Sequence, residues 1–326
     1  MKRLLSRGLR AAALTCLLAA GAAHAAWPEK PVTFIVPSAA GGSPDVLSRL
    51  VANHTAQQLG GANFVVENRP GAAGNIGILQ IKRAAADGHT VGYGNINTLA
   101  VNRSLFKTLP YDVEADLEPV AHLVNLYNVL IVPAQSPFKS VQEIIDAAKA
   151  KPGLLSYGAS GVGTTGHMGG ELFKSMAGVD VLFVPYNSGP AALQDLLGQR
   201  LDFMFINSSE AFPLVQSGKA RALGVSSLQR LEQLPDVPTL DESGVKGYET
   251  IAWGGVVAPK GTPKDVIARL NTAINQALRQ PEVQRGLHAL GAIPAGGTPQ
   301  DFQALIDAET IKWRDIIETA NIEKLD

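Results

Sequence analysis

Cysteine is almost missing. The chain of 326 residues has one, Cys16, and it lies in the stretch expected to be removed. What remains has no disulfides and must hold itself together through its core. Cationic blocks are missing too. The first 25 residues carry four of the 28 basic residues and none of the 29 acidic ones, which leaves 24 against 29, a net charge of −5. That argues against nucleic acid and against a polybasic membrane contact. No apolar run beyond the N-terminus is long enough to span a bilayer. Ligand spacing for a metal is also lacking, because His54, His89, His122, His167 and His288 are scattered.

The N-terminus has a purpose of its own. Lys2, Arg3, Arg7 and Arg10 precede the apolar run Ala11–Ala20, and Ala23-His24-Ala25 is a small-x-small cleavage site. This reads as a secretory signal peptide over residues 1–25, cleaved after Ala25, with export to the periplasm. The remaining 301 or so residues are enough for two domains.

The rest alternates strands and helices. VTFIVP (Val32–Pro37) is a strand apolar on both faces, and Ser43 with Pro44 reads as N-cap and first helical residue. Strands at 64–67 and 90–93 follow, separated by a helix through Ile78 and Ile81. A less regular region runs to Leu123. A second strand–helix series then occupies Val129 to Ser226. Trp253–Ala258 is a further strand, followed by three helices expected to return to the first half. This predicts an α/β protein of two mostly parallel sheets flanked by helices. Its lobes are residues 26–125 with 253–326, and 126–252, crossed near Asn125 and Trp253. That is the periplasmic-binding-protein clamshell, or Venus flytrap, with a cleft between lobes. On the last helix, Glu309 shares an apolar face with Phe302, Ile306 and Trp313, and is expected to hold a structural partner.

In α/β sheets ligands bind beyond the carboxyl ends of the strands. The loops there are rich in Gly, Ser, Thr and Asn. LLSYGASGVGTTGHM (Leu154–Met168) turns on glycines into a helix start capped at Thr164-Thr165. Such a start presents unpaired N–H groups and the positive end of the helix dipole to an anion. Ile35–Leu47 repeats the design. The expected ligand-binding residues are Ser38, Ala40, Gly41, Gly42, Ser43, Asp45, Asn97 and Thr98 from the first half. From the second they are Ser160, Gly161, Gly163, Thr164, Thr165, Tyr186, Asn187, Ser188 and Asn207. Asp45 has two readings, support for its own helix start or acceptor for a ligand donor. Asn75 is expected to hold its loop, Arg49 and Arg69 to make surface pairs, and His167 to be structural.

Other chemistries fit less well. Gly161–Gly166 matches G-x-G-x-x-G, but the next strand ends at Tyr186-Asn187, where a dinucleotide site needs an acid. A hydrolase would draw on Ser160, His167 and Asp45, yet Gly158–Val162 lacks the second glycine of a nucleophile elbow. No catalytic residue, cofactor or metal is expected.

The motifs PSAAGGSPD (Pro37–Asp45), ENRPGAAGNIG (Glu67–Gly77), LPYDVEADLEPV (Leu109–Val120), YGASGVGTTGHM (Tyr157–Met168) and LPDVPTLDESG (Leu234–Gly244) come in this order. PYNSG with ALQDLLG (Pro185–Gly198) and Glu309 with Trp313 complete the set. In this the chain resembles the substrate-binding proteins of tripartite tricarboxylate transporters, the Bug receptors. The resemblance implies a monomeric periplasmic receptor for a small organic acid, held by main-chain and hydroxyl groups and delivered to membrane permease subunits. A ligand-presenting partner of a sensor would use the same clamshell. Four positions depart from the family pattern: Ser38 replaces Phe, Pro44 replaces Thr, Asn187 replaces Lys and Ser188 replaces Gly. They suggest a ligand with less charge and more hydroxyl or amide character.

Overall fold

The computed structural model describes residues 27–319 and 322–326. The leader expected at residues 1–25 lies outside them. The first half runs β1 (Val32–Val36), α1 (Ser43–Gln58), β2 (Phe64–Asn68), α2 (Asn75–Arg83) and β3 (Thr90–Asn95). A π-helical turn (Asn97–Val101) and two single turns, α3 (Asn102–Leu105) and α4 (Val113–Asp116), lead to β4 (Leu117–Pro133). The second half follows as α5 (Val141–Ala150), β5 (Ser156–Gly158), α6 (Thr165–Ala177), β6 (Leu182–Val184), α7 (Gly189–Leu197), β7 (Phe203–Asn207), α8 (Ser208–Gln216) and β8 (Ala220–Val225). The chain ends with β9 (Ile251–Pro259), α9 (Lys264–Leu278), α10 (Pro281–Ala289), β10 (Ala292–Pro294) and α11 (Pro299–Thr319).

Strand order is β2-β1-β3-β9-β4-β7-β5-β6, with β8 and β10 also on β4. The 17-residue β4 belongs to both halves. From Leu117 to Tyr127 it pairs with β9, and from Asn128 onward with β7 and β8. It replaces the irregular region and short strand expected from the sequence. Its burial explains why no period was visible: Leu123, Val124, Leu126 and Val129 to Val132 are all buried, so inward and outward positions do not alternate.

The expected parallel pairing is found on the outer strands, between β1 and its neighbours β2 and β3 and between β5 and its neighbours β6 and β7. At the centre, β4 and β9 pair antiparallel with all their partners. They carry the chain into and out of the second half, so no crossover helix sets their direction.

Each half has a core on both faces of its sheet. On β1, Phe34 and Val36 join Leu47, Leu270 and Ile274 on one side, while Ile35 joins Ile78, Ile81, Phe302 and Trp313 on the other. On β4, Leu130 and Val132 face Ile144, Phe173 and Tyr248, and Val129 and Ile131 face Leu196, Met204 and Phe212. The three C-terminal helices pack on the first half as expected. Glu309 finds its partner in Trp313, whose indole N–H donates to Oε2 at 3.0 Å. Among the described residues no helix is long and apolar enough to cross a membrane.

Candidate functional site

The carboxyl ends of β1, β3, β5 and β7 and the start of β9 surround a cavity of about 800 Å³. Ser38, Gly42, Ser43, Asn97 and Thr98 line it from the first half, and Ser160, Gly161, Thr164, Thr165, Tyr186, Asn187, Ser188 and Asn207 from the second. Ala40, Gly41, Asp45 and Gly163, also expected to bind ligand, lie off this lining.

Asp45 shows why. Its carboxylate accepts the Gly41 N–H at 2.9 Å, Arg49 Nε at 2.8 Å and Asn68 Nδ2 at 3.0 Å. Asn68 Nδ2 also donates to the Ser38 carbonyl at 3.1 Å. Asp45 is therefore engaged in holding its own loop and helix start, the first of its two readings. Arg69 pairs with Glu67 at 2.6 Å, as expected of a surface pair.

Ser43 departs from its expected role. It is the first residue of α1, Gly42 takes the cap position, and no side chain caps this helix. The Ser43 hydroxyl is used elsewhere: it accepts from Ser209 Oγ of the second half at 2.7 Å. A further link joins Ser208 Oγ to the Gly291 carbonyl at 3.1 Å.

The opposite wall is built around α6. Thr164 caps it, accepting the His167 N–H at 3.3 Å and donating to the Gly161 carbonyl at 2.6 Å. Gly163 donates its N–H to His167 Nδ1 at 3.1 Å, so it has none left for a ligand. Burial depresses the His167 pKa to about 4, and the ring remains neutral, as an acceptor at Nδ1 requires. Gly166 allows this helix to sit on β7, since a Cβ there would fall 2.3 Å from the Phe205 carbonyl oxygen. Ser188 caps α7 through the Ala191 N–H at 3.4 Å. The Tyr186 ring borders the cavity while its hydroxyl donates to Asp195 at 2.8 Å.

A polar network supports the first wall from behind. Asn102 Nδ2 donates to Asn75 Oδ1 at 2.7 Å and to the Ala73 carbonyl at 3.2 Å. The Tyr111 hydroxyl donates to the Thr98 carbonyl at 2.7 Å and lies 3.0 Å from Asn75 Oδ1. Asn75 thus holds its loop, as expected. The loop includes Ala72 and Ala73 at φ 46° and 53°, a left-handed pair that costs energy and persists only because its surroundings impose it. Tyr111→Phe is expected to lower unfolding stability by about 1–2 kcal/mol in urea, because the buried Thr98 carbonyl loses this donor while Asn75 Oδ1 keeps Asn102 Nδ2. A loss near zero would show that the network does not carry the loop.

Glu210, Trp253 and Tyr93 also border the cavity, where they were not expected. Trp253 and Tyr93 lie on strands and read as core. Glu210 reads as a first-turn acid of α8, an ordinary helix feature. The available signal was its place three residues beyond the end of β7, where ligand crevices form. Glu210 is the one charged side chain among the lining residues. Burial pushes its carboxyl up to about 7, against the pull of the Ser43 N–H.

Two α/β halves around a cleft walled by hydroxyls, amides and helix starts define the class of two-lobed solute-binding proteins. Residues 47–322 match the tripartite tricarboxylate transporter family receptor, and the chain belongs to that family. Among solved structures it is similar to Rpa4515 of R. palustris with adipate, at 38% identity and a TM-score of 0.89, covering 92% of this chain and all of that one. It is also similar to the periplasmic binding protein BugD, at 34% identity and a TM-score of 0.87, covering 92% and 100%. MatC of Rhodopseudomonas palustris with bound malate is 32% identical with a TM-score of 0.84, covering 89% and 100%.

Proposed function

We propose that the protein is a periplasmic solute receptor. It binds a small carboxylate-bearing ligand between lobes formed by residues 26–125 with 253–326 and by 126–252. As a monomer, it delivers the ligand to the permease subunits of a tripartite tricarboxylate-type transporter. The observation that carries this reading is the cleft itself: thirteen of the expected residues border one cavity from both sides, and the starts of α1, α6 and α7 are among its walls. Helix starts hold anions without a cationic side chain. Relatives of this fold were solved with adipate and with malate.

The arrangement speaks against a hydrolase. Asp45 is paired with Arg49 and is off the lining, and His167 Nδ1 is taken by a backbone N–H instead of a carboxylate. Nothing among these groups would draw a proton from Ser160.

The test is thermal unfolding of residues 26–326, stripped of ligand, against mono-, di- and tricarboxylates, amino acids and neutral amides. A ligand at a thousand times its Kd adds about 4 kcal/mol of stability, a shift of several degrees. A shift with a carboxylate-bearing class, with the compound recovered unchanged, is the expected result. Shifts with neutral amides alone, or turnover of the compound, would overturn the reading.

A further inference from the structure

We propose that Glu210 makes this cleft selective for ligands that carry an ammonium group beside their carboxylate, and that it discriminates against dicarboxylates of the same length. The inference rests on the carboxylate-receptor reading and deepens it.

Glu210 lies on α8 in the second half, but its Oε1 faces both walls. A Cβ built on Gly42 would lie 3.9 Å from it, and one built on Gly189 would lie 2.5 Å away. The same point on Gly189 is 3.0 Å from Ser160 Oγ. Glu210 and Ser160 therefore pack against Gly189 where a larger residue would clash with Oε1. Glu210 stands where the two halves meet, next to the cap of α1 and the first residue of α7.

Charge is the second step. The lining has no Lys, Arg, His or Asp, and Glu210 makes no ion pair among the described residues. On the surrounding helices Asp45 pairs with Arg49 on α1, Asp195 of α7 with Arg200, and Glu171 with Lys174 on α6, while Glu282 and Arg285 of α10 are exposed. On α10, His288 faces Glu232. Helix α8 itself has no second ionisable residue. An ionised carboxylate in a part-buried site without a cation is costly. The Ser43 N–H supplies one donor, and a carboxylate accepts about four.

A ligand can supply the missing cation. Its ammonium would sit against Glu210, and its carboxylate against the Thr164–Thr165 start of α6, where no side chain of like charge competes. A dicarboxylate would bring a second negative charge to Glu210 in a site where like charges repel strongly. The same site would reject by repulsion what it does not fit.

The experiment uses matched pairs in calorimetric titration at pH 7.5. Succinate, glutarate and adipate are compared with 3-aminopropanoate, 4-aminobutanoate and 5-aminopentanoate, and malate is compared with aspartate. In each second compound an ammonium replaces an anionic or hydroxyl group. The expected result is tenfold or tighter binding of the amino member of at least one pair, lost in Glu210→Gln while the member without nitrogen binds as well or better. Equal or tighter binding of the member without nitrogen in every pair to the wild-type protein overturns the selectivity proposal and leaves the receptor reading intact. A preference that persists in Glu210→Gln overturns the role of this residue. No binding by any of the eight compounds to either protein counts against the receptor reading itself, and this proposal falls with it.

Discussion

Trp313→Ala is expected to cost about 3–5 kcal/mol of unfolding stability, the range for removing a large aromatic from a core that cannot collapse around the gap. The indole is fully buried, in the cluster that contains Leu99, Leu105, Phe302 and Ile306. Its N–H satisfies Glu309, whose side chain is only 14% exposed. The substitution thus opens a cavity and also strips a donor from a half-buried carboxylate, leaving Lys312 at 3.7 Å as its remaining partner. Trp313→Phe keeps most of the volume and loses only the N–H, so it should recover more than half of the loss. Urea unfolding with an unchanged m-value would measure both. Equal losses for Ala and Phe would mean that the hydrogen bond, and not the packing, dominates. The effect should extend to the cleft, because Phe302 of the same cluster meets Trp253 edge-to-face at 5.8 Å, and Trp253 borders the cavity.

How much of this was legible in the sequence depended on whether the deciding interaction was local. Thr164 was recognisable as a cap because capping is settled within three residues. Glu309 was recognisable as needing a partner because it lies on an apolar helix face, and the fold supplies Trp313, one turn away. Asp45 stayed ambiguous because its deciding partner, Asn68, comes from the next strand. Ser43 was misread because its hydroxyl answers Ser209, 166 residues away, and not its own helix. The long β4 was hidden because both of its faces are covered along most of its length. Gly163 looked like a ligand donor until the fold placed His167 Nδ1 against it. Glu210 escaped for the most general reason. A single acid gains meaning from the charges absent around it, and that absence is a property of the assembled cleft.

Glu210→Gln is expected to stabilise the ligand-free protein at pH 8 by about 2–3 kcal/mol and to leave it almost unchanged near pH 4. The sign follows from proton binding. The carboxyl titrates near 7 in the folded protein and near 4.5 in the unfolded chain. Below pH 4.5 both forms hold the proton, and the substitution changes little. As pH rises from 4.5 to 7 the unfolded chain releases its proton first, so wild-type stability falls across this window while that of the Gln variant does not. The full shift corresponds to about 3 kcal/mol, and contact with cleft solvent reduces it. His167 has the opposite sign, with a folded value near 4 against 6.5, so stability drawn from it is lost as pH falls through that window. It is present in both proteins and cancels in the difference. Urea unfolding of the pair at pH 4, 6 and 8 checks the prediction, and a Gln variant less stable than wild type at pH 8 would refute it. A residue kept for packing would lose stability on substitution. One whose replacement adds stability, and adds it only where the carboxylate is ionised, holds its charge against the fold. An ammonium-bearing ligand would relieve that cost, so saturating the wild-type protein with one should narrow the gap at pH 8.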